Sequence, residues 1–78
     1  MSHQQILNYI NAQPFHPFRL IMNSGRTLDV RHPEMVRVGR DYLMLFTFVS
    51  DSLNVLDNWE TVSLLLVESI VHLDAQPA

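Results

Sequence analysis

The sequence predicts an α+β domain, mainly β, in which an N-terminal helix caps a five-stranded, strongly bent antiparallel sheet or small barrel. Three observations lead there. A capped run of helical periodicity opens the chain. Beyond Phe18 the apolar period changes to two and holds for most of the remaining length. Turn chemistry, at Asn23-Ser24-Gly25-Arg26 and Gly39-Arg40-Asp41, separates the alternating runs.

The helix is expected over about residues 3–13. Ser2 and Gln5 form an S-x-x-Q capping box, Ile6, Tyr9 and Ile10 share one stripe, and Pro14 ends the run. So short a helix does not persist alone and must dock on the sheet. In the linker PFHPF, Pro14 and Pro17 stiffen the backbone and leave Phe15 and Phe18 to plug one end of the core.

Five strands follow, at about 18–23, 27–38, 42–49, 59–64 and 66–73. The first two form a hairpin about Gly25, and His32-Pro33-Glu34 bends the second, because Pro33 cannot donate to a ladder. The third is apolar on both sides: Tyr42, Met44, Phe46 and Phe48 alternate with Leu43, Leu45, Thr47 and Val49. Since one face of an antiparallel sheet normally meets water, this strand is either covered twice within the fold or offers a surface to another subunit. Ser50 to Asn58 reads as a polar loop. The last segment is half helical in pattern, with Glu68 and His72 at i, i+4, but its β-branched residues favour a strand. Asp74 to Ala78 reads as a frayed tail.

At 78 residues the chain has room for one core and reads as a single domain, 1–78. A domain of this size buries only about 60 to 65% of its unfolded surface, so small folds often lean on a staple or a partner. Cysteine is absent, which removes disulfides, thiolate nucleophiles and thiolate metal sites and leaves oligomerisation as the available staple. No window approaches the ~18 apolar residues of a membrane span, and no secretory leader is visible, so a cytoplasmic protein without membrane association is expected. Hydrophobic residues are 47% of the chain and charged residues 17%, a lean charge count for so much surface. The charge is also segregated: residues 1–40 carry +3 and include all five arginines, while residues 41–78 carry −6. Opposed halves suit a nucleic-acid face, a head-to-tail oligomer, or simply two solvated surfaces.

The order of elements, with PFRLIMNSGRTLDV followed by MVRV and YLMLFTFV, resembles the first motif of the Sm-like fold, with Ser69 to Leu73 standing for its last strand. An SH3-like barrel is the neighbouring possibility. The chain is also similar to a family of small uncharacterised bacterial proteins with a QPFxPFxL opening, a GRTxxVxHPExV middle and an LLLV segment, here Gln13 to Leu20, Gly25 to Val36 and Leu64 to Val67. The Sm-like resemblance implies homo-oligomerisation, of the ring-forming kind, through paired strand edges. Its RNA-binding loops are not carried over: Gly39-Arg40-Asp41 and Ser63-Leu64-Leu65 stand in their places.

Catalytic chemistry finds few footholds. Among the four histidines, His32 stands two residues from Glu34, and one histidine with one carboxylate falls short of the ligands zinc requires. No G-x-S-x-G elbow occurs, and two isolated glycines make no phosphate loop. The expectation is a non-enzymatic protein with no catalytic residues, no metal and no cofactor. It acts through protein contacts, with Tyr42, Met44, Phe46 and Phe48 as candidate oligomer interface. The alternative is an RNA binder using Arg19, Arg26, Arg31 and Arg37, with Tyr42, Phe46, Phe48 or Trp59 as stacking platforms. The absence of lysine and a net charge of −3 disfavour it.

Overall fold

Ser2 sets the first element. Its hydroxyl accepts from the Gln5 amide at 3.3 Å and the Gln5 side-chain oxygen accepts from the Ser2 amide at 2.9 Å, so the capping box forms. The helix α1 (His3–Ile10) ends three residues before the expected boundary. The ring of Pro14 would collide with the Ile10 carbonyl if the helix continued, and residues preceding proline leave the helical region. Ile6 is fully buried, and Tyr9 packs against Phe18 with ring centroids 5.4 Å apart. The structure, a computed structural model, describes residues 1–49 and 55–73.

Six strands follow: β1 (Phe18–Met22), β2 (Thr27–Val30), β3 (Val36–Val38), β4 (Tyr42–Phe48), β5 (Leu56–Ser63) and β6 (Val67–His72). They form two antiparallel three-stranded sheets, β2-β1-β6 and β3-β4-β5, that do not close on each other. This corrects the expected five-stranded bent sheet or Sm-like or SH3-like barrel. The cause lies in two 3₁₀ turns. At Pro33–Met35 the missing amide of Pro33 interrupts the ladder and the Met35 amide donates to the His32 carbonyl at 3.1 Å, so the supposed bent strand 27–38 is two strands. Its first half pairs with β1 (Leu20 opposite Leu28) and its second with β4 (Arg37 opposite Met44). At Leu64–Leu66 the chain turns again, sending β5 to one sheet and β6 to the other.

The β1–β2 hairpin turns as its residues require. The Gly25 amide donates to the Met22 carbonyl at 2.9 Å, and Gly25 holds φ +91°, a left-handed conformation that only glycine adopts without strain. β5 begins three residues earlier than expected, so Leu56 to Asn58 belong to a strand rather than a loop. Residues 50–54 of that predicted loop, and the predicted tail, 74–78, lie outside the described residues. The helix-or-strand ambiguity at the end resolves as strand: β6 pairs antiparallel with β1, Leu20 opposite Ile70.

Both sheets contribute to one core. Phe18, Leu20, Met22, Leu28, Val30 and Val67 from one meet Val36, Leu43, Leu45 and Val62 from the other, with Ile6 and Leu64 closing the ends. No polar or charged side chain joins them among the described residues. Nor is any described helix long and apolar enough to cross a membrane.

Candidate interaction surfaces

The alternation in β4 sorts its side chains cleanly. Leu43 and Leu45 enter the core, so Tyr42, Met44, Phe46 and Phe48 emerge on the outer face of β3-β4-β5. No second sheet lies over them among the described residues, and Met44, Phe46 and Phe48 are half-buried. Register places Phe46 opposite Trp59 and Phe48 opposite Leu56. Trp59 is 54% exposed and Leu56 47%. Directly opposed aromatic and aliphatic pairs of this kind support each other across a sheet. Val49 and Val55, joined by an amide-to-carbonyl bond of 2.8 Å, extend the apolar area at the end of the sheet, and both are exposed. The candidate interface residues are therefore brought together, and Leu56 joins them although its local sequence reads as loop.

Tyr42 differs from the other three. Its ring lies against Gly39, where an added methyl would come within 2.5 Å of a ring carbon, so any larger residue there would make the ring move aside. The ring covers its own turn while remaining 45% exposed.

The four candidate arginines are not brought together into one stripe. Arg19 stands opposite Asp29 across the β1–β2 ladder, on the outer face of β2-β1-β6. Its Nε donates to Asp29 Oδ1 at 2.7 Å and its Nη2 to Oδ2 at 3.2 Å, a bidentate pair. Arg31, just beyond β2, reaches the same carboxylate at 3.5 Å. These hydrogen bonds from Arg19 hold the Asp29 carboxyl below its ordinary range against partial desolvation, the charges of Arg19 and Arg31 assisting. Asp29 in turn raises Arg19 above the usual guanidinium value. Arg26 leaves the hairpin turn and crosses to the other sheet, its Nη2 donating to both Glu60 oxygens at 2.7 and 2.9 Å. Arg37 sits on the opposite sheet's outer face, beside Met44. Three of the four cations thus already face carboxylates, and they are divided between two sheets.

Glu60 ties one edge of β5 to the other sheet through its bridge to Arg26. Its register partner is Leu45, so it projects from the inward side of β5, at the sheet's edge, where Arg26 meets it. No feature of the sequence alone pairs Arg26 with Glu60, which lie 34 residues apart. His32 and Glu34 belong to the Pro33–Met35 turn region rather than to a strand. Near the chain's other end the rings of His16 and His72 meet edge-on with centroids 6.0 Å apart. Among the described residues, no three His, Cys, Asp or Glu side chains gather in a way that could hold a metal ion.

No protein-family model, no curated protein and no solved structure matches this chain.

Proposed function

We propose that this protein is a non-enzymatic, self-associating interaction module whose contact surface is the outer face of β3-β4-β5. One observation carries the reading: Phe46, Phe48, Leu56 and Trp59 form adjoining cross-strand pairs on a face with no second sheet over it among the described residues. Aromatic residues clustered on an accessible sheet are the composition of interface centres rather than of ordinary solvated surface. A second copy is the occupant that fits best. A two-fold axis sets the patch against itself, buries apolar side chains from both sides, and leaves Arg37, opposite Met44, beside it. Association would also add to the small core that a chain of this length can build alone. The arginine-based nucleic-acid alternative has less support, because Asp29 and Glu60 already neutralise Arg19, Arg26 and in part Arg31.

Native mass spectrometry and light scattering test the proposal. The wild type should run as a dimer or larger assembly, and Phe46→Glu and Trp59→Glu should each shift it to monomer while circular dichroism stays folded. A wild type that remains monomeric at millimolar concentration would overturn the proposal, as would assemblies indifferent to both substitutions.

A further inference from the structure

Between the β1–β2 turn and the edge of β5 lies a cleft of about 240 Å³, lined by Met22, Asn23, Ser24, Arg26, Leu66 and the stretch of β5 from Glu60 to Ser63. Two contacts join its walls: the Asn23 amide donates to the Leu66 carbonyl at 2.8 Å, and Arg26 bridges to Glu60. Met22, Val62 and Leu66 supply apolar surface, and the charged pair stands at the rim. The cleft shares no residue with the aromatic patch proposed for self-association, and a role for one does not depend on a role for the other.

We infer that this cleft binds a short apolar chain ending in a carboxylate, with the carboxylate on Arg26 and the chain over Met22, Val62 and Leu66. The ion pair is unequal in what it leaves open. Both Glu60 oxygens accept from a single guanidinium nitrogen, Nη2. Nε and Nη1 have no hydrogen-bond partner among the described residues, and a guanidinium presents its five donors as a fork matched to carboxylates. A second carboxylate can therefore bind Arg26 without displacing Glu60, whereas a cation would have to compete for a carboxylate already held. At the ~30 Å³ that a water-sized group occupies in a liquid, the cleft admits about eight non-hydrogen atoms, the size of hexanoate. The same chemistry occurs in a free short-chain acid and in the C-terminus of an apolar peptide.

Amide NMR of the intact, isotopically labelled protein, titrated with hexanoate, tests the site. Saturable shifts should centre on Met22, Arg26, Val62 and Leu66. Affinity should rise by up to about fourfold per methylene from butanoate to hexanoate and then level off. Hexanol should bind about tenfold more weakly, since it forgoes a charge-assisted hydrogen bond. Arg26→Ala should abolish the preference for the acid over the alcohol. Glu60→Gln should tighten binding by removing a like charge beside the ligand, and this second variant keeps the test valid if Arg26→Ala perturbs the turn. A parallel titration with N-acetyl-leucine and its amide separates the sources: acetyl-leucine above hexanoate indicates a peptide terminus, and the reverse a free acid. Absence of saturable shifts, equal binding of hexanol and hexanoate, or Glu60→Gln weakening the acid would overturn the inference.

Discussion

The two sheets bury similar inner faces and present very different outer ones. On β2-β1-β6 the outer face is organised around charge: Arg19 and Arg31 converge on Asp29, and the group satisfies itself. On β3-β4-β5 it is organised around Phe46, Phe48, Leu56 and Trp59, which have no second sheet above them among the described residues. A strand alternation of the same period produces both, so what distinguishes a solvated face from a binding face is the identity of the outward residues, not the pattern that orients them. The first face completes its interactions within the chain; the second is the face proposed above for self-association.

If the inner faces are equivalent, truncating either should cost heavily. Phe18→Ala should lose about 3–5 kcal/mol and Leu43→Ala about 2–5 kcal/mol, both side chains being fully buried. Denaturant unfolding measures this, and a loss confined to one of the two would show that the sheets do not share a core. Losses of that size approach the whole stability of so small a domain. The outer faces should then respond oppositely to charge. Glutamate at Phe46 or Trp59 should lower the assembly mass, whereas Arg19→Glu should leave it unchanged; light scattering on the three variants decides whether association belongs to one face. The smallest effect concerns acid. Because Arg19 depresses the folded-state pKa of Asp29, the pair stabilises the fold fully above the unfolded aspartate value, near ~3.9, and the contribution fades as pH falls through the lower folded value. Asp29→Asn should therefore be slightly less stable than wild type at neutral pH, and the two melting curves should converge in strong acid. An unchanged difference down to the lowest pH would mean that the charge pair is not its source. The pair is part-exposed, so the neutral-pH loss should fall well below that of either core truncation.

Much of the local structure was legible from short-range chemistry. The Ser2 and Gln5 box, the Gly25 turn and the two-sidedness of β4 all depend on residues within a few positions of each other, and all are present. The candidate surface was legible in part: Phe46 and Phe48 could be read from alternation, but their neighbours Leu56 and Trp59 depend on a cross-strand register that no local pattern specifies. The bent strand misled because alternation resumes in phase beyond Pro33, with Leu28, Val30 and Val36 all facing the core, so period alone cannot tell one bent strand from two.

The sequence by itself determined where the chain can be helical, where it must turn, and which residues of each strand share a face. Those properties follow from backbone sterics, missing amides and the two-residue period. Tertiary structure decided which strand lies beside which, and with it the division into two sheets, the meeting of Phe46 with Trp59, and the bridge from Arg26 to Glu60. Such pairings join residues far apart in the chain, and their selection rests on burying one common core against the entropy of closing long loops, a balance that no single segment contains.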